Sequence, residues 1–193
     1  PTFKVGYVVY VGFMPLAWMK QSGSMEAWSD KYGVNVELVQ INDYIGGINQ
    51  FIAGDLDAVA VAGMDALTMP AASGVDTSIF LIADYSNGND MLLSRSATSV
   101  ADLKGQDVYL LQYSVSHYLL SRALDKAGIN APGVVQMTNI SDTEIAAAYM
   151  TQPDMLHVAT WNPMASELVS AVDGTNVLFD SSEIPGEIMD SFI

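Results

Sequence analysis

Short β-rich runs alternate with amphipathic runs of helical period along the whole chain. Phe3 to Tyr10 reads as a strand, Pro15 to Lys31 as a helix with Leu16, Met19, Met25 and Trp28 as its apolar positions, and Val34 to Ile41 as the next strand. Asn42-Asp43 opens a second helix whose apolar residues Ile45, Ile48, Phe51 and Ile52 recur at spacings of 3, 4 and 7 before Gly54 stops it. Ala58 to Ala62 is apolar at every position, as a strand covered on both faces should be. A short helix entered at Met64 follows, with Pro70 expected to open or bend it, and Thr77 to Ala83 reads as a further strand.

The cluster Asn87-Gly88-Asn89-Asp90 is a strong turn signal, after which Met91 to Ser94 is extended and a second series of βα units begins. Strands are expected at Asp107 to Gln112, Val134 to Thr138, Leu156 to Thr160 and Val177 to Phe179. Helices are expected at Ser116 to Ala127, Asp142 to Met150 and Pro163 to Val172. Ser141-Asp142-Thr143-Glu144 has the spacing of a capping box at the start of one of them. At least six alternations of strand and helix predict an α/β fold with mainly parallel sheets. The organisation expected is one α/β lobe over residues 1–93, a second over 94–183, and a return crossover at 184–193. No solenoid period is visible.

Composition narrows the function. Of 193 residues, 50% are hydrophobic and 15% charged, enough apolar material for a core and too little charge for a disordered chain. Net charge is −15, from 22 acidic and 7 basic residues, so the surface repels phosphate backbones and anionic lipid heads, and no nucleic-acid partner is expected. The absence of cysteine removes disulfides, thiolate catalysis and cysteine-ligated metal. The longest apolar stretch, Ala58 to Met64, is far short of the ~20 residues of a membrane helix, so direct insertion of this segment is not expected. Pro1 stands directly before a strand, as it would if a signal peptide had been removed.

In open parallel sheets, ligands bind beyond the carboxyl ends of strands, where loops and helix N-termini converge. That rule selects Tyr10 to Phe13, Asn42 to Tyr44, Gly63 to Asp65, Asp84 to Asn87, Tyr113 to His117, Asn139 to Thr143 and Thr160 to Asn162. These stretches hold Asp43, Asp65, Asp84 and Asp142 with several Tyr and Trp161. Lys4, Lys20, Lys31, Arg95, Lys104, Arg122 and Lys126 all fall elsewhere. Carboxylates and aromatic faces without a basic clamp suit a small cation or a nitrogen-rich donor. Asp43 and Asp142 also fit simple helix caps, and Tyr10 and Trp161 also fit wall-packing or hinge roles.

Enzymatic machinery is missing. There is no G-x-S-x-G elbow; Ser114, Ser116 and His117 are close in sequence but point in different directions on an entering helix. His117 and His157 are 40 residues apart with no metal-ligand spacing. No phosphate-binding glycine loop occurs, and Gly46-Gly47 lies within a helical pattern. No catalytic residue, metal or cofactor is expected.

Several strings carry a family resemblance: Tyr10-Val-Gly-Phe-Met-Pro15, Val39-Gln-Ile-Asn-Asp-Tyr44, Met64-Asp-Ala-Leu-Thr-Met-Pro-Ala-Ala72, Asp84-Tyr-Ser-Asn-Gly-Asn-Asp90, Ser114-Val-Ser-His-Tyr-Leu-Leu120, Thr160-Trp-Asn-Pro163 and Phe179 to Ile188. Together they resemble the periplasmic solute-binding proteins of nitrate/sulfonate/taurine-type ABC importers, in a subgroup associated with urea carboxylase and urea or guanidine transport. The resemblance implies a bilobed type II periplasmic-binding fold, ligand captured between the lobes by hinge closure, and delivery to a membrane permease. It implies a periplasmic or extracytoplasmic location, with lipid anchoring of the full precursor as one form of it. By position it implies ligand contacts at Tyr10, Asp65, Asp84, Ser114, His117 and Trp161, and more weakly at Asp43, Tyr85 and Ser116. Members of that family continue past the Pro-Gly-Glu-Ile stretch into a long, mainly helical tail, so a C-terminally shortened chain is expected. Two alternatives stand beside a guanidine- or urea-like solute: a small anion such as nitrate or a short sulfonate, and an enzyme of the thiamine-pyrimidine synthase type. The sensing domain of a transcription regulator shares the same architecture.

Overall fold

The computed structural model describes residues 1–193. The chain forms two compact units, Pro1–Tyr85 with Met189–Ile193, and Ser86–Ile188. The first unit contains β1 (Thr2–Tyr7), a 3-10 turn at Val11–Phe13, α1 (Met14–Ser22), α2 (Ser24–Tyr32), β2 (Asn35–Gln40), α3 (Tyr44–Ala53), β3 (Ala58–Ala62), α4 (Gly63–Ala72) and β4 (Leu81–Tyr85). The chain's tenth and last strand, β10 (Met189–Phe192), completes its sheet in the order β2-β1-β3-β10-β4. The β1–β2 and β1–β3 pairs are parallel, while β10 is antiparallel to both β3 and β4. Four strands therefore run one way and β10 alone runs back.

Three local features differ from the sequence reading. The expected helix over Pro15 to Lys31 is two helices, because Gly23 adopts φ 72°, a left-handed geometry that ends α1 and restarts the chain at Ser24. The strand expected from Thr77 starts only at Leu81, which pairs with Phe192, and Phe80 N bonds Phe192 O at 3.1 Å. Helix α4 continues through Pro70 to Ala72 rather than opening there. The core packs Tyr7, Leu38, Ile48, Val59, Val61 and Phe192 together, and every residue of the central strand β3 is buried.

The second unit contains β5 (Asp90–Ser94), a 3-10 turn at Val100–Leu103, β6 (Asp107–Leu110), α5 (Val115–Lys126), β7 (Gln136–Asn139), α6 (Asp142–Thr151), β8 (His157–Trp161), α7 (Met164–Ala171), β9 (Asn176–Asp180) and a 3-10 turn at Ser181–Glu183. Its order, β7-β6-β8-β5-β9, repeats that of the first unit, with β5 in the place of β10 as the single reversed strand. One side of this sheet is sealed by Leu93, Ile145, Tyr149, Met155, Val158 and Leu168. Ser141 caps α6, accepting from Thr143 N at 3.2 Å. The reciprocal capping box closes instead at Ser99, whose N donates to Asp102 at 2.9 Å.

Where the chain enters β5 and leaves β9, a buried serine gathers the backbone. Ser181 Oγ accepts from Gly88 N at 2.8 Å, Asn89 N at 3.1 Å and Asp90 N at 3.3 Å. It is also bonded to Ser86 Oγ at 2.7 Å, which donates to Asp90 Oδ2 at 2.5 Å. Removing this hydroxyl leaves one buried and two partly buried backbone donors without their acceptor. Ser181→Ala is expected to lose about 1–3 kcal/mol of stability, read in urea titrations as a lower midpoint at unchanged slope; an unchanged midpoint would show that the network carries no stability.

Candidate functional site

In each sheet four strands share a direction, so the strand carboxyl ends and the helix N-termini meet along one edge, where the reversed strand begins.

In the first unit this edge brings Tyr10, Asp43, Asp65, Asp84 and Tyr85 to the ends of successive strands, and β10 adds Asp190. Asp84 and Asp190 are directly paired across β4 and β10, and their carboxyl groups are hydrogen-bonded to each other. Both lean over Gly12: a β-carbon there would collide with Asp190 Oδ2 and crowd Asp84 Oδ2, so the close approach needs glycine. Burial raises the Asp84 carboxyl above its ordinary range, and the bond from Asp190 partly offsets this.

Asp65 lies in the first turn of α4 and is 3% exposed. Its Oδ2 accepts from Tyr44 OH at 2.7 Å, and the same Tyr44 oxygen accepts from Ala62 N at 2.9 Å. Burial pushes the Asp65 carboxyl up to about 7, with the Tyr44 bond pulling the other way. Tyr44 OH is raised by burial and then by Asp65. The Tyr44 ring packs on Tyr10 at 5.4 Å, and Tyr10 stacks on Phe13 at 6.2 Å. Asp43 occupies the N-cap position of α3 but makes no side-chain cap bond; its exposed carboxylate lies over Gly46 instead. Tyr85 is exposed at the end of β4.

In the second unit Ser114 is buried and caps α5, donating to Leu111 O at 2.8 Å and accepting from Ser116 N at 3.2 Å. Ser116 is buried in the first turn. Tyr113, with φ 63°, holds a left-handed conformation unusual for an aromatic residue, and its N donates to His117 Nδ1 at 3.3 Å. With Nδ1 accepting, neutral His117 carries its proton on Nε2, and burial lowers its affinity for a second one. Trp161 is buried in β8 opposite Asp90. Asn162, just before the N-cap position of α7, accepts from Ser166 N at 3.0 Å.

No basic residue lies in the strand-end stretches, and most basic side chains have partners elsewhere. Lys20 Nζ donates to Leu38 O at 2.9 Å, Lys31 lies over Trp28 at 4.5 Å, and Arg95 lies over Tyr149 at 4.1 Å. Arg122 binds both carboxylate oxygens of Glu187, at 2.6 and 3.0 Å, and also contacts Asp125. That guanidinium holds the Glu187 carboxyl down to about 2. Lys4, Lys104 and Lys126 are exposed outside the strand-end loops. No group of three His, Asp or Glu side chains is arranged to hold a metal.

Two residues that matter at this edge were not singled out by sequence. Asp190 becomes visible only once β10 is known to run antiparallel beside β4. Tyr44 sat within a selected stretch, but its bond to Asp65 spans 21 residues and carries no local signal.

The model of the NMT1-like family matches residues 1–190. The periplasmic aliphatic sulphonate binding protein SsuA of Escherichia coli superposes with TM-score 0.77 at 21% identity, covering 99% of this chain and 64% of that one. The alkanesulfonate-binding protein SsuA of Xanthomonas axonopodis pv. citri, bound to MOPS, superposes with TM-score 0.76 at 19% identity, again covering 99% and 64%. The ligand-binding component of an ABC-type import system from Staphylococcus aureus, with zinc bound, gives TM-score 0.73 at 13% identity, covering 100% and 65%. The chain thus spans a little under two thirds of the length of these structures. At these identities the likeness concerns the fold, an α/β periplasmic-binding fold. No curated protein sequence matches.

The buried Asp65 carboxyl makes stability depend on pH. The folded protein keeps its proton up to about pH 7, whereas an unperturbed aspartate loses it near 3.8, so the folded state binds more protons across that window. Stability contributed by the protonated group is present at low pH and falls as pH rises to about 7, by up to about 4 kcal/mol. Asp65→Asn, which cannot ionise, is expected to lose less stability than wild type between pH 5 and 8 in urea titrations; parallel profiles would contradict this.

Proposed function

Because the chain belongs to the NMT1-like family, we propose that it is the solute-binding part of an extracytoplasmic binding protein that serves an ABC importer, and that its solute is a small, planar, nitrogen-rich compound of guanidine or urea type. The fold of the sulfonate-binding and importer-component structures supports the general role. The partner in that role is a membrane permease; no helix of this chain is long and apolar enough to cross a membrane. The role is capture and delivery rather than turnover, and the serine and histidine side chains at the second unit's edge fit this reading: Ser114 is engaged in capping and His117 Nδ1 accepts a backbone bond.

The inventory of the strand-end edges carries the choice of solute. In the first unit they present the Asp84–Asp190 pair and the rings of Tyr10 and Tyr85, and none of the seven basic residues lies in the strand-end stretches. A guanidinium can donate paired N–H bonds to such carboxylates and lie flat on a ring, each charged hydrogen bond contributing about 1.5–3 kcal/mol. A sulfonate at the Asp84–Asp190 pair meets like charge. One observation favours an anion instead: α3 and α4 begin at the first unit's edge with no side-chain cap, leaving backbone N–H groups that suit an oxyanion. Asp43 and Asp65 at those same helix starts weigh against it.

A thermal-shift and calorimetry panel of guanidinium at low millimolar concentration, urea, acetamide, taurine, ethanesulfonate and nitrate tests the reading. Guanidinium or urea should bind saturably, a solute at 100 times its Kd adding about 2.7 kcal/mol of stability. Asp84→Asn should weaken guanidinium binding by a factor of several up to about a hundred, or about 1–3 kcal/mol. Binding confined to ethanesulfonate, taurine or nitrate would overturn the choice of solute.

A further inference from the structure

Asp65 is too enclosed to meet a solute without displacing what surrounds it. At 3% exposure, its carboxyl accepts a hydrogen bond from Tyr44 OH at 2.7 Å. Tyr44 is equally enclosed at 4%, and both roles of its hydroxyl are in use, donating to Asp65 and accepting from Ala62 N at 2.9 Å. A phenol held at both roles cannot rotate freely, so its ring plane is fixed from the buried end. That ring is the surface on which Tyr10 packs at 5.4 Å, and Tyr10 also stacks on Phe13 at 6.2 Å. Tyr10 lies in an irregular link after β1, beside exposed Val9 and Val11, and the backbone there is held by bonds from Tyr10 N to Val8 O at 2.9 Å and from Phe13 N to Tyr10 O at 3.0 Å. Three loops at the edge, those following β1, β2 and β3, are thereby joined through one buried carboxyl.

We propose that Asp65 is a positioning residue: its carboxyl fixes Tyr44, and Tyr44 sets the Tyr10 ring as the aromatic wall on which a planar nitrogenous solute lies. This rests on the solute-binding reading above and reassigns Asp65 from a contact to a support. The relay accounts for a buried carboxyl at this edge that no cation neutralises. The titratable groups facing it are Tyr44 and, behind Tyr44, Tyr10; no lysine, arginine or second carboxylate acts on its ionisation. Its titration near pH 7 gives the relay a signature, because an ionised carboxylate accepts a shorter and stronger bond from a phenol than a neutral one does.

Two measurements on the full chain test this. Without solute, near-ultraviolet circular dichroism in the tyrosine band should show a transition centred near pH 7 in wild type and in Asp84→Asn, and none in Asp65→Asn or Tyr44→Phe. With guanidinium as the probe, calorimetry at pH 8 should show Asp65→Asn and Tyr44→Phe weakened several-fold to a similar degree, and the double variant no weaker than either. Tyr10→Phe should keep most of the affinity that Tyr10→Leu loses. Additive losses in the double variant would overturn the relay by showing that Asp65 acts independently of Tyr44. So would a tyrosine transition that survives in Asp65→Asn. If wild type binds no guanidinium, the solute reading fails while the dichroism still decides the positioning role.

Discussion

A sheet in which four strands run one way and a fifth runs back has two unlike edges. At one, strands end, helices start and the reversed strand begins, so loops and unpaired backbone N–H groups concentrate there. Each unit of this chain obeys that constraint with the same strand order, and the reversed strand in each is supplied by the chain as it enters or leaves the unit. Placement of the chemistry follows from it. Asp190 opposes Asp84 only because β10 starts where β4 finishes, and Gly12 is needed because both carboxyl groups turn over the same backbone segment.

The three aspartates singled out in the first unit occupy three different physical situations. Asp43 is exposed at a helix start and makes no cap bond. Asp84 is paired with a second carboxyl, Asp190, and is raised by desolvation, which the bond from Asp190 partly offsets. Asp65 is buried against a phenol and is raised by desolvation more than by any neighbouring charge. Residue type and strand-end position are the same for all three. What differs is the depth of burial and the partner, and on the reading proposed above these separate a carboxyl that meets solute from one that supports a wall and one that faces solvent.

Much of the fold was legible from periodicity. The all-buried strand Ala58–Ala62 and the helix around Ile45, Ile48, Phe51 and Ile52 stand where apolar spacing places them, and βα alternation gives the fold class. Losses came where a neighbour or a single dihedral overrides local pattern. Gly23 divides one amphipathic run into two helices, and β4 begins only at Leu81, where it pairs with Phe192 of β10. The strand-end rule reached the edge residues by position, since it needs only strand directions. It missed Asp190, which belongs to the reversed strand, and the Tyr44–Asp65 bond, which joins two helix starts that are distant in sequence. Both depend on tertiary pairing, for which a single sequence carries no local signal.

Membership of the NMT1-like family sets the architecture, and the solved relatives share it at 13 to 21% identity over chains about half as long again. On the proposed reading, the carboxyl edge of the first unit recognises a planar nitrogenous cation or amide through carboxyl groups and tyrosine rings. Backbone amide chemical-shift mapping during a guanidinium titration tests it most directly. The account predicts saturable shifts that concentrate at Gly12, Gly63, Asp84 and Asp190, with ethanesulfonate producing none there. Shifts at those positions with ethanesulfonate alone, or guanidinium shifts spread evenly over the chain, would contradict it.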